Sequence, residues 1–166
     1  MNSKTLPRNP FEDLRDLINA PLLAIVQAMA DSFKVQLLAG KHNFSVTGGS
    51  NFKVALYNSA ATLGNGTTAY TATQEASGAN YTAGGIAIGR GLDPTNTGNV
   101  AFTDFNDTNW AVATITARGA LVYNADQANA AVAVLDFGSD KTSTAGNFTI
   151  VWPAADSGNA IIRIGP

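Results

Sequence analysis

The chain has 166 residues, no cysteine and a formal net charge of −2. That length suits one domain, which can bury roughly 70% of its unfolded surface without a disulfide or metal. The missing thiol excludes thiol catalysis, thiolate metal sites and a disulfide framework, and near-neutral charge without a basic run makes nucleic acid a poor partner, since phosphate contacts need clustered Lys and Arg.

No membrane partner is implied either. The longest apolar run, Ala20 to Ala30, falls short of the roughly 20 residues a bilayer span needs. Lys4 and Arg8 precede that run, and Ala28-Met29-Ala30 has the small-x-small form of a signal cleavage site. Glu12, Asp13, Arg15 and Asp16 sit where a signal's apolar centre would begin, so no cleavage is expected.

Residues 1–9 are polar, with Pro7, and read as an extended arm. Asn9-Pro10-Phe11-Glu12 is a helix start: Asn9 caps, Pro10 has its φ preset, and Glu12 suits the positive end of the dipole. Phe11, Leu14, Leu17 and Ile18 recur at helical spacing. Pro21 interrupts the pattern and predicts a second helix, with Leu22, Ile25, Val26 and Met29 as its stripe, up to Asp31. This broken amphipathic helix packs either on its own domain or on another subunit. The candidate interface residues are Phe11, Leu14, Leu17, Ile18, Leu22 and Ile25.

From Ser32 the period switches toward two. Phe33 to Leu37 and His42 to Val46 alternate, and Phe52 to Tyr57 is the clearest strand, with Phe52, Val54 and Leu56 inward. Residues 61–83, rich in Thr, Gly and Asn, read as short strands and long loops. Ile86 to Ile88 lies between glycines, as a bent edge strand, and 91–99 with Pro94 reads as a loop. Val100 to Phe105 is a strand. The organising stretch is Trp110 to Phe137, two β-rich runs around the polar turn Asn124 to Asn129. Val112, Ala120 and Val122 share one face of its first strand, and Ile115, Leu121 and Tyr123 share the other. Both sets are apolar, which predicts a hairpin covered on both faces. A loop over 138–146, a strand ending at Trp152 and a deeply paired strand over 160–164 complete the chain. The expected fold is mainly β, an antiparallel β-sandwich or jelly-roll-like domain over 32–166 behind an N-terminal arm and helix over 1–31.

Candidate chemistry is sparse. His42 is the only histidine, lies between Lys41 and Asn43, and has no G-x-S-x-G partner motif, so a surface or strand-edge position is expected. Asp104-Phe-Asn106-Asp107-Thr108 has the oxygen density of a Ca²⁺ loop but lacks the glycine and distal glutamate of an EF-hand, and reads as a turn. Glu75 is the only glutamate after residue 31, leaving no carboxylate pair for glycoside cleavage. The glycine-rich 84–91 run matches no phosphate-binding fingerprint. Five N-x-[ST] triplets are what a chain rich in Asn and Thr carries by chance. Trp110 and Trp152 are expected in the core rather than on a sugar platform. Neither a metal nor a cofactor is implied.

Several segments, in order, resemble a family of small virion proteins encoded by tailed bacteriophages. They are Ser32-Phe-Lys-Val-Gln-Leu-Leu, His42-Asn-Phe, Phe52-Lys-Val-Ala-Leu-Tyr-Asn-Ser-Ala-Ala-Thr-Leu-Gly64, Thr67-Thr-Ala-Tyr-Thr, Glu75-Ala-Ser-Gly-Ala-Asn-Tyr-Thr-Ala-Gly-Gly85, Thr116-Ala-Arg-Gly-Ala-Leu-Val-Tyr-Asn124, Ala131-Val-Ala-Val-Leu-Asp-Phe-Gly-Ser-Asp-Lys-Thr142 and Ala160-Ile-Ile-Arg-Ile. The resemblance spans about Ser32 to Ile164 and implies a virion component with no catalytic residue. The front of the chain departs from it, adding about thirty residues. Such an arm suits a staple between subunits, so the expectation is a capsid decoration (cement) protein. It would be homotrimeric, sit on the capsid exterior and have the major capsid protein as partner. The alternatives are a head-fibre base, tail or baseplate subunit, or a carbohydrate-binding module, which needs an exposed aromatic platform.

Overall fold

The computed structural model describes residues 24–166. The architecture is mainly β and antiparallel. One sheet runs in the order β1 (Ala28–Met29), β8 (Ala130–Ile150), β7 (Thr108–Asn124), β2 (Phe52–Tyr57), β4 (Ile86–Ile88), with β3 (Gly78–Ala79) paired to β7. The second sheet is β5 (Arg90–Thr97), β6 (Val100–Phe105) and β9 (Ile162–Ile164). An aromatic column joins the two. Phe44 stacks on Phe52 with ring centres 4.6 Å apart, Phe52 meets Phe105 at 5.6 Å, and Phe105 meets Trp152 at 5.4 Å. Offset and edge contacts of this kind add to the area term of burying large rings.

The hairpin is the spine, and its strands are far longer than predicted. At its base, Gly119 to Asn124 are all buried and face Ala130 to Asp136. This is the two-sided coverage expected from the sequence. Further out the strand alternates. Trp110, Ala113, Ile115 and Ala117 are buried while Asn109, Thr114 and Thr116 are exposed. Val112 leaves its predicted face because its φ is +50°, so the strand bulges there and the side chain turns to solvent. Between base and outer arm the pairing slips. Gly119 faces Asp136 and Ala117 faces Lys141, so a step of two residues on β7 is answered by five on β8. Gly138, at φ +75°, lies in that excess. The predicted 138–146 loop is therefore the bulged middle of β8, not a break in it.

Other expectations need correction. Phe33 to Leu37 forms a helix, α1 (Asp31–Leu38), not a strand. Asp31 suits its first turn and is paired to Lys34 at 2.8 Å. At the far end Lys41 N–H donates to Gln36 O (2.9 Å) and Gly40 N–H to Leu37 O (3.0 Å), a Schellman closure that needs the left-handed φ of +68° at Gly40. Residues 24–30, predicted as the end of a helix, are extended and include β1. Ile25 and Ala30 belong to the core, so the core crosses the boundary expected after residue 31. Residues 90–97 around Pro94 are a strand, β5, at the sheet edge, where a missing N–H costs no ladder bond. Among the described residues the last strand pairs with β6 alone, and its Arg163 and Ile164 are exposed. The bent edge strand β4 is as expected. Gly85 takes φ +63°, and a Cβ there would stand 1.8 Å from Val54 O, so that turn requires glycine.

Candidate functional site

Of the six candidate docking residues, Phe11, Leu14, Leu17, Ile18 and Leu22 lie outside the described residues. Ile25 is only 4% exposed. It bridges to Leu63 and sits over Gly119, where an added Cβ would come within 2.8 Å of its side chain. Ile25 is thus part of its own domain and leaves the docking stripe.

His42 also departs from expectation. It is 7% exposed and lies between Phe33 and Phe52. Asn124, fully buried, uses its Oδ1 to accept from Asp126 N–H (3.0 Å). Its Nδ2 therefore faces His42 Nδ1 at 3.0 Å as a donor. That makes Nδ1 an acceptor and puts the ring proton on Nε2, which donates to Gln36 Oε1 at 2.9 Å. Burial, and then the charge of Lys41, push the imidazole below its ordinary pKa. A neutral ring with both nitrogens occupied ties α1 to the base of the hairpin. It has no free base to offer a substrate.

Glu75 is the polar centre that sequence reasoning missed. All four tyrosines of the chain gather around it. Tyr70 donates to Oε2 (2.6 Å), while Tyr81 and Gly84 N–H donate to Oε1 (both 2.7 Å). Tyr81 also accepts from Leu56 N–H (2.9 Å), and Tyr123 donates to Gly84 O (2.6 Å). Tyr57 donates to Thr71 O (2.6 Å). Burial first, and then Glu75, raise Tyr70 to about 12, and burial raises Tyr57 and Tyr81 further. These phenols remain protonated donors. The cluster fastens the sparsely structured 69–85 segment onto β2 and β7. A carboxylate with three donors at hydrogen-bond distance is a clamp rather than a proton shuttle. Tyr70 and Tyr81, which bond Glu75 directly, lie five and six residues from it, a local signal that the short-strand-and-loop reading of 61–83 passed over, while Tyr57 and Tyr123 are remote.

Trp110 and Trp152 are 3% and 6% exposed, as expected of core residues. Trp110 stacks on Tyr81 with centres 6.1 Å apart, and Trp152 Nε1–H donates to Thr108 Oγ1 (3.2 Å). The turn between β6 and β7 is only Asn106-Asp107, with Asp104 and Phe105 in β6 and Thr108 in β7. Asp107 Oδ1 accepts from Trp152 N–H (2.9 Å), and Asp104 is buried, with its carboxyl raised by that burial. Among the described residues no group of three or more His, Asp or Glu side chains is arranged to hold a metal, and no helix is long and apolar enough to cross a membrane.

What the surface offers is area to bury. Leu38 is 92% exposed and Val35, one turn before it on α1, is also exposed. Beside α1, Leu37, Phe44, Phe102 and Ile162 line an apolar groove of about 270 Å³. On the outer arm, Val151 is 72% exposed and borders a second depression of about 470 Å³, with Phe137, Lys141, Asn147, Phe148 and Ile150. β1 covers the edge of β8 only at Ala133 and Val134. From Phe137 to Ile150 no described strand pairs with that edge.

This chain matches no family model, no curated protein and no solved structure.

Proposed function

We propose that this chain is a non-enzymatic structural subunit of a bacteriophage virion. In this reading it is a capsid decoration protein, homotrimeric, bound to the major capsid protein on the outside of the shell. The observation that carries the proposal is the outward apolar surface: Leu38 and Val35 on α1, Val151 at the end of the hairpin, and the apolar groove beside α1. Val35 and Leu38, one turn apart on α1 beside that groove, form the kind of exposed aliphatic surface that is covered in an assembly. The ordered resemblance of residues 32–164 to phage virion proteins supplies the kind of assembly. Cement action is then mass action, because a protein that binds only the assembled shell lowers the free energy of that shell.

The test is co-sedimentation of the full chain with empty shells of the phage that encodes it, followed by heating of the decorated and bare shells. Saturable binding in multiples of three and a raised disruption temperature are expected. No binding to intact shells refutes decoration. A label found at the tail or baseplate of whole particles moves the subunit there instead. The carbohydrate-binding alternative loses support from the burial of both tryptophans.

A further inference from the structure

We propose that Asn65 is a self-modification site: the backbone nitrogen of Gly66 closes on its side chain, and the acid that results releases the start of α1. Neither the site nor its consequence depends on what the chain assembles with.

Asn65-Gly66 is the single Asn-Gly pair in the chain, and every other asparagine is followed by a residue with a side chain. The pair forms the centre of a four-residue turn. Thr67 N–H donates to Gly64 O (3.0 Å), and Gly64 N–H donates to Thr67 Oγ1 (3.0 Å). Both central residues are exposed, so water reaches them. Ring closure needs the nitrogen after an asparagine to swing onto that side chain's carbonyl carbon, and a side chain on the following residue hinders the swing. Gly66 has none, and even an added Cβ would meet nothing within 4 Å, so the turn has room to move.

In the first step a bond forms between Gly66 N and Asn65 Cγ, and the Cγ–Nδ2 bond breaks. Nδ2 leaves as ammonia and takes the proton that Gly66 N gives up. Water then opens the cyclic imide at either carbonyl. The products are aspartate and, with one more methylene in the main chain, isoaspartate.

The amide that is lost is in use. Asn65 Nδ2 donates to Asp31 Oδ2 (2.7 Å), and Asp31 N–H donates to Asn65 O (2.8 Å). Asp31 is the first residue of α1 and is also paired to Lys34. A carboxylate at position 65 replaces a donor by an acceptor and sets two negative charges side by side where a hydrogen bond stood. Isoaspartate shifts the main chain as well, so the bond from Asp31 N–H is disturbed with it. The helix that loosens is the one carrying Val35 and Leu38.

The full chain is kept warm at mildly alkaline pH and its peptides are mapped by mass over time. The amide-to-acid mass change is expected to gather at Asn65, with isoaspartate among the products, and to slow about tenfold or more in Gly66→Ala. That variant folds, because its Cβ enters open space at a φ outside the left-handed region. Amide hydrogen exchange across residues 30–38 is expected to rise as conversion proceeds, and to be raised from the start in Asn65→Asp. Adding Asp31→Asn to Asn65→Asp swaps donor and acceptor, and should bring exchange back toward that of the parent. Conversion at Asn65 no faster than at other exposed asparagines, or equally fast in Gly66→Ala, overturns the site. Unchanged exchange in Asn65→Asp, or no recovery in the swapped pair, overturns its hold on α1.

Discussion

The base and the outer arm of the β7–β8 hairpin are made of the same two strands and obey different rules. At the base, Ala120 to Tyr123 are buried on both faces, between β2 on one side, β8 on the other and the packed loops above and below. In the arm, from Thr108 to Ala117, only one face is buried and every exposed position is small or polar except Val112. The change occurs within a few residues, at the register slip between Ala117 and Gly119 and the ion pair of Arg118 with Asp136 (2.9 Å). A continuous ladder of backbone hydrogen bonds therefore does not imply uniform stability. Burial, not pairing, separates a core element from a surface one.

Truncating one large side chain in each region tests this most directly. Leu121→Ala removes a fully buried side chain from the base and is expected to cost about 2–5 kcal/mol. Val112→Ala, on the same strand but exposed in the arm, should stay within about 0.5 kcal/mol. Denaturant midpoints of the two variants measure both, and equal effects would erase the distinction.

The junction comes next. At Gly119 a Cβ would stand 2.4 Å from Leu135 O and 2.8 Å from Ile25, so Gly119→Ala forces strand and N-terminal residues apart, at about 1–3 kcal/mol. A thermal melt unchanged by that substitution would mean that Ile25 is not seated there.

The base should also respond to acid in a way the arm does not. His42 is held neutral, with its folded pKa below the ordinary 6.5. The unfolded chain takes up the proton first as pH falls. Stability from the neutral ring is therefore complete above about 6.5 and is lost as pH drops through the folded value. Chemical denaturation at steps from about pH 7 to about pH 5 should show that decline, and His42→Gln should flatten it. The smallest effect is expected at Asp136→Asn. Its partner Arg118 is held at a partly exposed site, so the shift in melting temperature should fade with added salt.

Much of this was readable in the chain. Phe52 to Tyr57 announced a central strand by alternation, and Val100 to Phe105 falls where its pattern placed it. The tryptophans are where apolar strand neighbours predicted them. Misreadings came from competition between signals. Phe33 to Leu37 alternates, yet Asp31 before it and Gly40 after it are helix start and stop signals, and the closure at Gly40 settled the local structure. Residues 138–146 look like a loop because bulges need glycine and small polar residues as much as loops do. His42 was misplaced because its buried partner Asn124 is remote in sequence, and Glu75 because Tyr70 and Tyr81, close to it in the chain, read as anchors of separate loops rather than as its donors. Asn124 lies at the end of β7, and Tyr57 and Tyr123 join the Glu75 cluster from β2 and β7.

The pairing of Ala28 with Val134 has a consequence for biosynthesis. β2 waits for β4 and for Gly119–Asn124, and β1 and Ile25 wait for β8, so residues 25–57 are made before any of the strands they pair with. Folding dominated by such distant partners is slow. β1 is thus seated only after β8 has been made, about a hundred residues later in the chain.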